Sequence, residues 1–212
     1  MEVYHILHML QSDIIESLEI LYDSFTNDPY SWSKAVGFSF DMLRSWLKDY
    51  LINRVICPYI PSIVVKNDEG VLGVCTMEDF NNPPFHNNPN NNDINEICNA
   101  CTNLFWKYIE KFNSNISKNE KGLIAYISFI AVDKEHRRKN IGDMLLKESS
   151  DILRKNGYKY AVAFCTSYRS RSLFEKNGYN YIGGINYKTL CINGRNPFSS
   201  LEGECSVMFI SL

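Results

Sequence analysis

Arg137-Arg138-Lys139-Asn140-Ile141-Gly142 gathers three cations, an asparagine and a glycine in one short turn, and the chemistry open to that set is the binding of a small polyanion. The turn follows an apolar run from Leu123 to Val132, broken by Tyr126 and Ser128, and precedes a segment in which Ile141, Leu145, Ser149 and Ile152 recur at near-helical spacing. The run reads as a buried strand and the spaced segment as a helix. The first N–H groups of a helix have no partner inside it and lie at the positive end of its dipole, so they bind phosphate when no side chain blocks the approach. Gly142 leaves that approach open, and the two arginines add charge and forked donors. An ordinary strand-to-helix unit with a solvated basic turn is the competing interpretation.

The elements that must position this turn follow from hydrophobic pattern and turn residues. Val3 to Met9 reads as a first strand, and Ser12 or Asp13 as the cap of a helix carrying Ile14, Ile15, Leu18, Leu21, Tyr22 and Phe25. That helix stops near Thr26-Asn27-Asp28-Pro29, and a second amphipathic segment over about 33–56 carries Phe40, Leu43, Leu47, Tyr50 and Leu51 on one side. Short strands at 61–66 and 71–78 flank the turn Asn67-Asp68-Glu69-Gly70 as an antiparallel hairpin. Residues 81–92 hold seven asparagines and three prolines, a composition that cannot build a core, so a flexible excursion is expected over about 80–93. An added helix is expected over about 94–112, with Ile97, Cys101, Leu104, Phe105 and Tyr108 near one face. Beyond the central unit come a strand at 158–164, a helix at 169–176 ended by Asn177-Gly178, and strands at about 179–190 and 204–211. One domain over residues 1–212 is the expectation.

At this point a family resemblance enters. The turn at 137–142 resembles the Arg-x-x-Gly-x-Gly signature of the GNAT superfamily of N-acetyltransferases, with Asn140 at the first glycine. Asparagine is among the residues that best tolerate left-handed backbone, so the exchange is mild. The resemblance implies an α/β fold: a central mixed, mostly antiparallel sheet of about seven strands with flanking helices and a splayed fourth and fifth strand. It also implies acetyl-CoA as cosubstrate and no metal. The pantetheine arm would lie on the backbone of Phe129, Ile130, Ala131 and Val132, and the pyrophosphate on Arg137, Arg138, Lys139, Asn140, Ile141, Gly142 and Asp143.

The segment from Cys165 to Tyr179 resembles the one that closes the cofactor site in this superfamily, and its ending Leu173-Phe174-Glu175-Lys176-Asn177-Gly178-Tyr179 is similar to a recurrent motif. Where that motif commonly has a tyrosine acid, this chain has Phe174, which cannot protonate a thiolate. The run with Thr166, Ser167 and Ser170 is more similar to the arylalkylamine N-acetyltransferase-like group, of the dopamine-acetylating type. Asp28-Pro29 falls where that group has an acid before proline, usually glutamate, and Tyr187, Gly194 and Phe198 match its late spacing. By resemblance, Asp28 is the candidate base, Thr166 and Ser170 are candidate proton relays, and Ser167, Ser170 and Phe174 face the cofactor. Backbone N–H groups near Ile130 to Val132 would serve the thioester oxygen.

Plainer roles stay open for each. Asp28-Pro29 also fits a helix cap with proline at the first helical position, and Thr166 and Ser170 also fit caps. Tyr30, Trp32, Phe38 and Phe40 suit either an aromatic amine pocket or ordinary core.

The implied reaction is direct attack of a small, arylalkyl-type primary amine on acetyl-CoA in a ternary complex. A primary amine near pKa ~10 is protonated at neutral pH, so a base must strip it before it attacks a thioester. Transfer to a polyamine or protein amine is the alternative, with Glu78-Asp79 at a strand end the one hint of an acidic site; a non-catalytic acyl-CoA-binding module is another. Net charge of −2 gives no footprint for nucleic acid or an anionic membrane surface, and the basic cluster is local. Hydrophobic content of 45% suffices for a core, without the roughly 18 consecutive apolar residues of a membrane span. Seven cysteines form no even framework, and Cys98-Asn-Ala-Cys101 lacks a second pair, so helical packing is its expected role. A reduced, cytoplasmic protein, monomeric or weakly dimeric, is the expectation.

Overall fold

The computed structural model describes residues 2–27, 32–35, 37, 39–56, 60–81, 92–114, 116 and 120–212. Asp28, Pro29, Tyr30, Phe38 and most of the asparagine-rich segment fall outside them. Strand β1 (His5–His8) leads through a 3-10 turn into helix α1 (Ile14–Thr26), followed by α2 (Trp32–Ala35) and α3 (Phe40–Ile56). Strands β2 (Ile63–Asn67) and β3 (Gly70–Asp79) precede α4 (Asn92–Phe112). The central unit is β4 (Ile124–Val132) and α5 (Ile141–Lys155); β5 (Tyr160–Cys165), α6 (Tyr168–Lys176), β6 (Asn180–Asn186) and β7 (Glu204–Ser211) complete the chain.

The strands form one seven-stranded sheet in the order β1-β2-β3-β4-β5-β7-β6. Among the described residues only β4 and β5 run parallel; the other pairings are antiparallel. That is the expected mixed sheet. Side-chain alternation along β4 sends Ala125 and Ile127 to one face and Ile124, Phe129 and Ala131 to the other. On the first face Cys75, Met77, Ile127 and Ala163 pack against Leu145, Leu146 and Leu153 of α5. The second face holds two clusters side by side. In one, Val64, Val74 and Ala131 meet Leu18 and Leu21 of α1 and Leu47 and Leu51 of α3. In the other, Ile124, Val162, Val207 and Phe209 meet Cys101, Phe105 and Ile109 of α4. Each fully buried leucine contributes roughly 1.5–3 kcal/mol relative to exposure.

Several boundaries differ from the sequence expectation. β1 is shorter than 3–9 because it is an edge strand with a single neighbour over four positions. The segment at 33–56 divides into α2 and α3, with Gly37 between them at φ 81°. Phe40 lies on the apolar side by spacing but, opening α3, stays 57% exposed. β6 ends at Asn186 rather than near 190, because the chain turns and the Leu190 N–H donates to the Asn186 carbonyl at 3.1 Å. At Gly183 α4 presses on the sheet: a Cβ there would collide with the Tyr108 ring, whose hydroxyl donates to the Gly184 carbonyl at 2.7 Å. No helix among the described residues is long and apolar enough to cross a membrane.

Candidate active site

β4 and β5 are paired only from Ile124/Tyr160 to Ile127/Ala163. Beyond that point β4 stays with β3, through Phe129 to Val132, while Phe164 and Cys165 stay with β7. The two strands therefore part. A bulge marks the spot: Thr76 pairs with Phe129 and Met77 with Ile127, leaving Ser128 as the extra residue. The Phe129 N–H points toward β3, donating to Thr76 Oγ1 at 3.1 Å, so by alternation Ile130 and Val132 present their N–H and C=O groups to the gap.

The gap leads to the basic turn. Arg138 and Asn140 both take left-handed backbone, at φ 64° and 62°, as the asparagine in place of glycine requires. Asn140 makes no side-chain cap on α5, so the first N–H groups of that helix are left to a ligand or water. The Arg137 guanidinium is exposed, with Nε 3.3 Å from the Val132 carbonyl and Nη2 3.5 Å from Ser24 Oγ. Lys139 reaches Glu2 at 3.3 Å, and Arg138 is exposed.

Two residues of the turn have duties besides an open approach. A Cβ on Gly142 would sit 3.1 Å from Leu173, so the glycine also sets how closely α5 and α6 pack. Asp143 accepts from Lys176 at 2.8 Å and from Asn177 at 2.9 Å. Partial burial works to raise its pKa, but those two bonds outweigh it and hold the carboxyl below its ordinary value.

The hydroxyl segment opens α6. Ser167, not Thr166, is the N-cap: its Oγ accepts from the Ser170 N–H at 3.3 Å, while Ser170 Oγ accepts from the Ser167 N–H at 3.3 Å and donates to the Ser167 carbonyl at 2.8 Å. That is a capping box with serine at its third position. The Thr166 side chain is half-buried and has no hydrogen bond among the described residues, whereas its carbonyl accepts from the Tyr187 hydroxyl at 3.0 Å. Tyr187 in turn accepts from Trp32 Nε1 at 2.9 Å, and Phe198 packs 4.5 Å from Trp32. The late tyrosine and phenylalanine thus hold the loop that carries Thr166. Phe174 is buried against Tyr179, with ring centroids 4.9 Å apart. Burial pushes the Cys165 thiol up to about 12, so it is a poor nucleophile.

A polar group lies beside the bulge, of which the sequence singled out Glu78 alone, as a hint of an acidic site. Tyr50 of α3 bonds Ser128 Oγ at 2.6 Å and donates to Thr76 Oγ1 at 3.1 Å, and the two smaller hydroxyls are 3.0 Å apart. Glu78, on the same face of β3 as Thr76, is 1% exposed. Among the described residues neither carboxylate oxygen has a hydrogen-bond partner, and Arg54 Nη1 forms an ion pair with it at 3.7 Å. Burial raises the Glu78 pKa to about 8, against the opposing pull of Arg54 and the nearby Ser128 hydroxyl. The available signal was a glutamate at the end of the apolar run Val71 to Met77.

Aromatic side chains continue from Glu78 across the gap. Tyr126 is its direct cross-strand neighbour, with Phe164 5.0 Å beyond and Phe80 5.7 Å from Phe164. Trp32 belongs to this wall, stacked on Phe105. At the far side, a groove of about 430 Å³ between α1 and the turn after β4 is lined by Glu19, Asp23, Asp133 and Lys134.

A model of the Acetyltransferase (GNAT) family matches residues 19–179. Mosquito arylalkylamine N-acetyltransferase-like 5b superposes with a TM-score of 0.75 at 18% identity, covering 99% of this chain and 100% of that one. Drosophila melanogaster polyamine N-acetyltransferase, which forms N-acetylagmatine, gives 0.75 at 14% identity over 99% and 100% of the two chains. The yncA protein of Salmonella typhimurium, solved with its cofactor acetyl-CoA, gives 0.61 at 14% identity over 98% and 93%. At such identities the likeness is one of fold. The family match, by contrast, spans most of the chain and includes the parted strands and both helix starts, so the chain belongs to the GNAT family of acetyltransferases.

Proposed function

We propose that this protein is an acetyl-CoA-dependent N-acetyltransferase acting on a small primary amine, with an arylalkylamine as the favoured acceptor. The observation that carries this reading is the gap between β4 and β5, which opens on a left-handed turn and an uncapped helix start. The pantetheine arm pairs with the Ile130 and Val132 backbone. The pyrophosphate meets the first N–H groups of α5, with Arg137 and Arg138 as charge partners. The thioester oxygen is held by N–H groups of the same strand edge, and transfer is direct, in keeping with the protonated state of Cys165. Thr166 and Ser170 return a proton to the leaving thiolate. The aromatic wall of Tyr126 and Phe164 supports an aryl group on the acceptor. The free cysteines of the described residues, four of five buried, suit a reducing cytoplasm.

The deciding measurement is release of free thiol from acetyl-CoA with a panel of amines; acetyl-CoA binding without thiol release from any of them leaves only an acyl-CoA-binding module. The acidic groove favours a second acceptor class, polyamines such as agmatine, and the panel ranks it against tyramine. Arg137→Ala should weaken acetyl-CoA by about 1.5–3 kcal/mol, as loss of one charge-assisted contact does. Calorimetry on the folded variant checks this, and an unchanged Kd removes Arg137 from the cradle.

For the acceptor's proton the sequence nominates Asp28. Asp28→Asn retains a helix cap but cannot accept a proton. A loss of kcat/KM across pH 6–9, largely restored in Asp28→Glu, is the result expected of a base; equality with wild type leaves Asp28 a cap.

A further inference from the structure

We infer that Glu78 is a proton acceptor for the incoming amine, receiving the ammonium group between Tyr126 and the Ser128 bulge; this rests on the acetyltransferase reading above. A carboxylate with both oxygens buried and unbonded is costly to a fold unless something completes it. Arg54 forms an ion pair with Glu78 at 3.7 Å, beyond hydrogen-bond distance, and its own Nε has no hydrogen-bond partner among the described residues. The hydroxyls of Tyr50, Thr76 and Ser128 bond one another, and Ser128 also lies near enough to Glu78 to pull its pKa down. The place is the right one for an acceptor. Glu78 lies on the face where β4 and β5 part, and Ser128 beside it is two residues, or about 7 Å, from the Ile130 edge proposed for the thioester. Tyr126 and Phe164, rings tilted 39° to each other with centroids 5.0 Å apart, continue from the carboxylate as an aromatic wall, fitting a primary amine joined by a short arm to an aryl ring.

The protons balance. The cation R–NH3⁺ gives one proton to Glu78, in place of the Asp28 that the sequence nominates, and Glu78 passes it to water. The freed nitrogen lone pair attacks the acetyl carbonyl carbon, the C–S bond breaks, and the nitrogen's second proton is lost as the thiolate gains one. The net products are the amide, free coenzyme A thiol and one proton. The groups facing Glu78 are Arg54 and Tyr50 from α3, Tyr126 from β4 and the neighbouring Asp79 on β3. A base held near 8 is well matched to an amine near ~10 at the pH of the cell.

The test is kcat/KM for tyramine from pH 6 to 10 in wild type, Glu78→Gln and Glu78→Asp, with acetyl-CoA affinity by calorimetry and melting temperature on the same preparations. Expected is a fall of roughly 10²-fold or more in Glu78→Gln, with unchanged acetyl-CoA affinity and loss of the limb rising near pH 8. Glu78→Asp, which keeps the base, recovers part of the rate. A Glu78→Gln enzyme with wild-type kcat/KM and pH profile overturns the role of Glu78 and leaves the acetyltransferase reading standing. A wild type that binds acetyl-CoA but acetylates no amine overturns both.

Discussion

Removing the Thr166 and Ser170 hydroxyls together, as Thr166→Val with Ser170→Ala, should lower kcat by about 10²–10⁴-fold while acetyl-CoA affinity stays close to wild type. By resemblance Phe174 stands where the usual tyrosine acid would, and its ring is buried against Tyr179, so on the proposed function the leaving thiolate needs another proton source. The two hydroxyls are differently placed for that work. Ser170 already donates to the Ser167 carbonyl at 2.8 Å, whereas the Thr166 hydroxyl, on a loop held by Tyr187, has no hydrogen bond among the described residues. Thr166→Val alone should therefore account for most of the loss in rate. Ser170→Ala alone should cost about 1 kcal/mol of stability, because half of the capping box goes with it. Kinetics and melting temperature on the same preparations separate the two effects. A double variant with wild-type kcat and a lower melting temperature would reduce both residues to caps.

The second large effect is on stability. The Glu78 carboxyl has an unfolded pKa near its ordinary 4.5 and a folded pKa raised to about 8, because burial disfavours its charged form. A raised folded pKa means that the folded state binds the proton more tightly. The stability linked to Glu78 is thus fully present below about 4.5 and is lost as pH rises through about 8. At about 1.4 kcal/mol per pH unit, the loss over that window is on the order of a few kcal/mol. Glu78→Gln cannot ionise and should be free of it. Asp13, Asp133 and Asp143 act in the opposite sense: their folded pKa values are lowered, so their contribution is lost as pH falls. Comparing wild type with Glu78→Gln cancels those terms. Urea unfolding at pH 5, 6, 7 and 8 should show the variant gaining on wild type with each step. Parallel curves would mean that Glu78 is ionised throughout, stabilised by Arg54.

Much of this was legible in the chain itself. The apolar run of β4, the basic turn and the helical spacing of Ile141, Leu145, Ser149 and Ile152 are local signals, and the structure has that strand, that turn and that buried helix face. Asn140 could be foreseen in left-handed backbone because its side chain tolerates it and its position demands it. The parted strands entered only through family resemblance. Their cause is a register shift at Ser128, which depends on which residue of β3 faces which residue of β4, and no local pattern encodes that. Gly142 was seen as an open approach to phosphate, but its contact with Leu173 exists only once α6 packs on α5. Glu78 shows the divide most clearly. In sequence it ends an apolar strand like any solvated carboxylate. Its burial raises its pKa against the opposing pull of Arg54, and that burial exists only once α3 is packed beside it and β4 has set Tyr126 opposite. The left-handed turn at Asn140 follows from neighbours in the chain and was determined by the sequence alone; strand register and the electrostatics of a buried acid follow from neighbours in space, which only the tertiary structure decided.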